Sequence, residues 1–344
     1  MKKTIRTLDA LAKKNIIRDE DISNLMPVIE DLSLAITSDM ENLIDKNDFE
    51  DPIKKQFIPS VEELQIHESE IRDPIGDDKY SPTKGIVHRY PDRCLFMPVS
   101  ICPVYCRFCF RREKVSRASE KLDDKDFENA YEYIANHPEI WEVILTGGDP
   151  LVLKPKVLKK IMDRLSNIPH VDIIRIHTRV PVVSSQLIDN EMISALQSSK
   201  TVYIILHANH PNEFTEDAKN AIATIINAGI PMLSQSVLLK NINDNIETLS
   251  TLMRLFIKNR IKPYYLHHAD LVKGTSHFRT SIANGQKLMK ELRGRFSGLC
   301  QPTYVLDIPE GYGKIPIGPN YIQHGESHYC VEDYCGNTHT YPSQ

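Results

Sequence analysis

The 344-residue sequence is short of long apolar runs: none approaches the roughly 18 residues that cross a bilayer, so a membrane-spanning chain is not expected. It is also short of cysteine, with seven in all, and three of them fall between positions 102 and 109. That clustering argues against a disulfide framework and suits a reducing cytoplasm. Basic charge is not in excess either: 42 Lys and Arg stand against 46 Asp and Glu, net −4, so no nucleic-acid partner is expected. The start is basic (Lys2, Lys3, Arg6), but no apolar core of about 7–15 residues follows, and a secretory signal is not expected. What is present is 41% hydrophobic residues, enough to bury a large core in one large α/β domain or two small ones.

From Arg93 onward, apolar runs that read as buried strands recur at 95–99, 143–145, 173–176, 202–206, 232–238 and 264–266. Between several of them lie segments with helical spacing, such as Leu158, Ile161, Met162 and Leu165, or Leu249, Leu252, Met253 and Phe256. Alternation of this kind predicts repeated βα units on a parallel sheet, an α/β fold built as a partial (β/α)6 barrel with its active groups at the strand C-terminal ends. A further strand is expected at 303–306. Residues 1–87 are expected to form a helical region and a Pro-interrupted, charged connector wrapped on the surface, without chemistry of its own. Residues 88–318 form the barrel, and 319–344 a small strand-rich cap.

The centre of the sequence is the loop after the first predicted strand, with Cys102, Cys106 and Cys109 at spacings of three and two intervening residues. A loop this tight can aim three thiolates at one iron–sulfur cubane, and the usual complement is four, so one iron stays open for a small molecule. The plainer readings are an inert buried trio or part of a zinc site, but no second Cys or His pair follows nearby. The spacing resembles that of the radical S-adenosylmethionine enzymes.

Four more patches narrow the resemblance: 88–93, 146–150, 270–279 and 307–314. Together with the cysteine loop, their order and spacing resemble the lysine 2,3-aminomutase family over roughly residues 85–342. The resemblance implies a [4Fe-4S] cluster on Cys102, Cys106 and Cys109. It places the amino group of S-adenosyl-L-methionine at Gly147, Gly148 and Asp149, with Gln235 and Asn212 as further contacts. It makes Lys314, seven residues after Asp307, the lysine that holds pyridoxal 5'-phosphate, with Arg89, Tyr90 and Arg93 around that cofactor. Arg111 would clamp the substrate carboxylate, Arg112 would be structural, and Asp270 and Asp307 would take the distal amine of L-lysine.

Each patch also has a plain reading: a turn at Gly147 and Gly148, an Arg93–Asp92 pair at a strand entrance, a solvated Lys314 in a mobile Gly-rich loop, turn or cap aspartates at 270 and 307. Glu310 and Tyr312 make the turn before Lys314 less glycine-rich than the family's. The best-known members carry a zinc-binding cysteine cluster beyond the point where this sequence stops, and Asn245 stands where they place another cysteine, so their zinc-linked tetramer is not expected. Cys330 and Cys335, near His324, His328 and His339, read as a buried inert pair or a separate metal site. The implied activity is a cytoplasmic isomerase interconverting L-lysine and β-lysine, fed electrons by a flavodoxin or ferredoxin and assembled as a homodimer. The alternatives are a sibling that makes β-lysine for elongation factor P, and an iron–sulfur electron carrier or sensor without turnover.

Overall fold

The structure, a computed structural model, describes residues 4–325 and 328–342. Nine strands form one sheet in sequence order: β1 (Ile86–Tyr90), β2 (Arg93–Val99), β3 (Glu142–Gly147), β4 (Ile173–Thr178), β5 (Thr201–His207), β6 (Met232–Leu238), β7 (Ile261–His268), β8 (Thr303–Ile308) and β9 (Gly313–Pro316). Pairing is parallel from β2 to β8 and antiparallel at the two edges, β1 on β2 and β9 on β8. The backbone N–H of Lys314 in β9 reaches the Tyr90 hydroxyl of β1 at 2.8 Å, so the sheet curls until its edges nearly meet. This is the expected partial barrel, six βα units followed by the strand at Thr303–Ile308. The two edge strands were not foreseen: they are short, and the motifs that form them read as ligand loops rather than as alternating strand.

The parallel strands carry branched side chains on both faces. Val143, Ile144 and Leu145 are all buried, as are Ile204, Ile205 and Leu206. The helices Asp124–Ala135, Pro155–Ser166, Glu216–Asn227, Ile246–Lys258 and Ile282–Leu292 cover the outside. Each of four begins at a capping side chain (Asp123, Thr215, Asn245, Ser281), and Pro155 occupies the first turn of the other. Asn245, at the position where the family resemblance has a cysteine, accepts from the Thr248 backbone at 2.9 Å. In Pro155–Ser166 the stripe Leu158, Ile161, Met162 and Leu165 is buried against the sheet.

The N-terminal residues Leu8, Leu11, Ile36, Met40, Ile53 and Phe57 belong to the same hydrophobic cluster as the barrel. The stretch after them departs from the surface connector expected of it. Glu63, Glu70 and Asp77, seven residues apart, are all buried, and each meets an arginine of the barrel. Proline and charge suggested solvent, but a carboxylate can be buried where a guanidinium waits for it. At the C-terminal end β10 (Ile322–His324), β11 (His328–Glu332) and β12 (Thr338–Pro342) form a separate antiparallel sheet, the expected cap. Among the described residues no helix is long and apolar enough to cross a membrane.

Phe96 of β2 is fully buried and meets Phe127 and Tyr131 edge-on, ring centres 5.9 and 5.6 Å away. Phe96→Ala should therefore lower unfolding free energy by about 3–5 kcal/mol in urea titrations. A loss below about 1 kcal/mol would contradict this packing.

Candidate active site at the C-terminal ends of the strands

The cysteine loop leaves β2 and is pinned to the N-terminal region by main-chain bonds from Tyr105 to Ala35 (2.8 Å) and Arg107 to Gln56 (2.9 Å). Burial raises the pKa of all three thiols, and they raise one another: Cys106 and Cys109 act on Cys102, and Cys106 on Cys109, which burial pushes to about 11. At Cys106 burial is opposed by Arg179, whose Nη1 donates to Sγ at 3.1 Å. These half-buried thiols, shielded from water by the protein around them, ionise only against strong positive charge, which a metal supplies. Among the described residues no three His, Cys, Asp or Glu side chains are grouped closely enough to hold a metal ion as they stand. Soft thiols within electrostatic reach of one another on one loop suit the separate corners of an iron–sulfur cluster. Cys330 and Cys335 fall under the same finding. Cys330 is half-buried and Cys335 exposed, and the nearby His339 bonds to Asp333 at 2.8 Å instead.

Two buried hubs hold this loop, and sequence reasoning found neither. Glu63 receives Arg107 Nε at 2.9 Å and Nη2 at 2.7 Å, and also Arg112 Nη2. Arg112 also donates to the Gly274 carbonyl at 3.0 Å, a structural role as expected. Arg179 donates to Glu213 at 2.6 Å and to Gln56 at 3.1 Å while its other arm touches Cys106. The one signal available was the regular spacing of carboxylates at 63, 70 and 77 upstream of an arginine-rich loop.

The turn after β3 lies against the start of the cysteine loop. Gly147 has φ +97°, and a Cβ there would lie 2.8 Å from Val99 O; one on Gly148 would lie 2.2 Å from Ile101 O. Gly148 and Asp149 donate through their backbone N–H groups to Val99 and Ile101 at 2.7 and 3.0 Å. The glycines thus admit a neighbouring backbone, where the sequence suggested a ligand. Asp149 is buried, and its carboxylate accepts from Leu151 N, Thr178 Oγ1 and Arg179 N at 3.1, 2.7 and 2.7 Å, tying β3 to β4. Gln235 lies inside β6, opposite His207 of β5, rather than at a strand end. Asn212 is exposed.

On the opposite wall Lys314 is in strand β9, paired in register with Asp307 of β8, where the sequence suggested a mobile loop. The strand forms because the preceding turn reverses tightly, with Glu310, Gly311 and Gly313 all at positive φ. Lys314 Nζ is paired with Asp307 and lies 3.1 Å from His267 Nδ1. Arg89 Nη1 is 4.0 Å from the other Asp307 oxygen. Arg93 lies 3.9 Å from the Tyr90 ring centre and bonds to Asp92 at 2.6 Å, the plainer of its two readings. Across the chamber, Arg111 Nε donates to Asp77 at 2.7 Å.

The charges reveal that these groups share one space. Burial and then Asp307 push Asp270 up to about 7, against the pull of Lys314 and Arg111. Burial works to raise Asp307 too, but His267 and Lys314 outweigh it and hold that carboxyl well below the ordinary range. Burial lowers Lys314 despite Asp307, and with Lys314 beside it lowers His267 to about 4. Several buried polar atoms of the barrel strands have no hydrogen-bond partner: Nε2 of His177, His207 and His267, and Nε and Nη1 of Arg89. Unpartnered buried groups are few in folded proteins, and these leave donors and acceptors on the barrel strands for a polar ligand.

Residues 97–253 match the family described as Radical SAM superfamily, and residues 289–344 that described as Lysine-2,3-aminomutase. The chain is 39% identical over 318 residues to L-lysine 2,3-aminomutase of Clostridium subterminale, covering 92% of this chain and 76% of that protein. It is 41% identical to L-lysine 2,3-aminomutase of Acetoanaerobium sticklandii, with 92% and 77% covered. It is also 37% identical to the glutamate 2,3-aminomutase of Clostridioides difficile, with 92% and 75% covered. With this similarity along nearly its whole length and a three-cysteine loop at the mouth of a parallel barrel, the chain belongs to the lysine 2,3-aminomutase family of radical S-adenosylmethionine enzymes.

Proposed function

We propose that the protein interconverts L-lysine and β-lysine by moving an amino group between C2 and C3. Its cofactors are a [4Fe-4S] cluster, S-adenosyl-L-methionine and pyridoxal 5'-phosphate. When bound, the cluster and S-adenosylmethionine supply a hydrogen-abstracting radical, and pyridoxal phosphate supplies a carbonyl that stabilises the nitrogen in transit. Cys102, Cys106 and Cys109 hold the cluster, with Arg179 behind Cys106. The turn at Gly147, Gly148 and Asp149 takes the cation of S-adenosylmethionine, beside Gln235, with the Asp149 carboxylate held in place by three donors. Lys314 is the pyridoxal lysine. The unpartnered Arg89 nitrogens suit the phosphate, with Tyr90 and Arg93 beside the ring. The barrel excludes water from the reacting atoms. Residues 1–87, 88–318 and 319–344 act as flanking region, catalytic barrel and cap, in a cytoplasmic homodimer served by a flavodoxin or ferredoxin.

What supports the substrate is that Asp270 lies within electrostatic reach of Arg111 and of the paired Asp307 and Lys314. Arg111 takes the α-carboxylate, and the aspartates take the distal ammonium. Overall identity separates lysine from glutamate poorly, since both kinds of relative lie between 37% and 41%. The acidic pair separates them, because two carboxylates repel an anionic side chain.

Three tests follow from the geometry. Cys106→Ala should retain its fold but lose cluster iron and the visible absorbance of the reconstituted protein. Full iron content would remove Cys106 from the ligand set. Borohydride reduction of protein loaded with pyridoxal phosphate, followed by peptide mapping, should label Lys314; a label on Lys273 would overturn that assignment. Asp270 binds an ammonium only when ionised, and its pKa stands near 7. Below that pH the carboxyl is protonated, so log kcat/KM for lysine should fall about one unit per pH unit. The fall should flatten in Asp270→Asn, which at pH 8 should be about a hundredfold poorer with lysine, as expected from losing about 3 kcal/mol with one charge partner. A wild-type pH profile in Asp270→Asn would move the ammonium site elsewhere.

A further inference from the structure

We propose that Asp77 is a positioning residue that aims Arg111 at the substrate carboxylate and sets its distance from Lys314. The inference rests on the reading of Arg111 as the carboxylate clamp. Asp77 is 2% exposed, and its Oδ2 accepts from Arg111 Nε at 2.7 Å. That contact uses the inner nitrogen of the guanidinium and leaves the terminal pair, the fork that receives a carboxylate through two parallel bonds. An arginine left to its rotamers would have to be ordered anew each time substrate binds.

Asp77 can do this because its own turn is held at both ends. The Asp73 carboxylate accepts from the backbone N–H of Asp77 at 3.0 Å and of Asp78 at 2.7 Å. Glu310 donates its backbone N–H to Pro74 O at 3.2 Å. Gly76, at φ +69°, lies so close to the Glu310 carbonyl that a Cβ would come within 2.8 Å of it. Gly311 faces Ile75 O in return, with a Cβ there 3.1 Å away. Residues 310–311 are the reversal that begins β9 and delivers Lys314. One turn thus grips Arg111 on one side and the Lys314 hairpin on the other. On the reading of Arg111 as the carboxylate clamp and Lys314 as the pyridoxal lysine, that turn would set the spacing between the groups that meet the two ends of the α-amino acid.

The test compares lysine with 1,5-diaminopentane, which has both amines and no carboxylate, on the holoenzyme. Asp77→Ala should raise KM for lysine about tenfold, the effect of one weakened charge-assisted hydrogen bond, with kcat little changed. The inhibition constant of the diamine should stay within about twofold, since the diamine does not use Arg111. Asp77→Asn keeps an oxygen for Arg111 Nε and should restore KM to near wild type. An unchanged KM in Asp77→Ala overturns the proposal, as does a diamine constant that rises in step with it. Tighter lysine binding in Asp77→Asn also overturns it, because Asp77 would then act by damping charge and not by aiming. If Asp77→Ala does not fold, Asp77→Ser is read by the same criteria. Arg111→Ala separates the two levels. If that variant keeps the wild-type preference for lysine over the diamine, the clamp reading itself fails; if it loses the preference and Asp77→Ala keeps it, only the Asp77 proposal fails.

Discussion

A guanidinium taken out of water must be met by a carboxylate, and the cysteine loop is held in place by such meetings. Arg107 and Arg112 share Glu63, Arg111 takes Asp77, and Arg179 takes Glu213. Removing one partner of a buried pair typically costs about 3–5 kcal/mol, because the other charge is left stranded. Hydrophobic packing alone would let a loop of thiols slide over the barrel mouth. Directional arginine contacts, two-pronged at Arg107, fix its register against segments that are far away in sequence. The arrangement therefore places more demand on residues 59–80 than their composition suggests, since three of these four ion pairs take their carboxylate from that stretch.

Much of the architecture was legible in the primary structure. All the parallel strands were marked by short branched runs, because a strand buried on both faces has little freedom in what it carries. Three of the five covering helices, Pro155–Ser166, Glu216–Asn227 and Ile246–Lys258, were marked by their 3.6-residue stripes. Legibility failed where a residue's environment comes from elsewhere in the chain. Glu63 and Asp77 look like solvated charges until the arginines of the cysteine loop are placed opposite them. Gly147 and Gly148 look like a ligand cradle until Val99 and Ile101 are laid against them. Lys314 looks like part of a loose turn because its strand, β9, is Gly313–Pro316 alone and exists only by pairing with β8.

The chamber sets opposite charges against each other at short range. Arg89 and Lys314 face Asp307, and Arg111 faces Asp77, so neither sign dominates the interior. An empty site of this kind can remain folded because Asp307, Lys314, Asp77 and Arg111 are paired within the protein and Asp270 is pushed toward its neutral form. A zwitterionic substrate with a further ammonium can enter by exchanging those partners, and a molecule of one sign alone cannot satisfy both walls.

One consequence lies in how the barrel ends. Each neighbouring pair of strands from β1 to β9 is joined by a ladder of main-chain bonds, but β1 and β9 are not joined to each other that way. Among the described contacts, the Lys314 backbone bond to Tyr90 and the 4.0 Å approach of Arg89 to Asp307 span the gap. The wall is a split ring, stiff all round except at its clasp. Widening it there breaks two side-chain contacts and no ladder, so the most compliant part of the barrel coincides with Arg89, Tyr90 and Lys314. A flat, phosphorylated ring could pass that clasp without unzipping a strand.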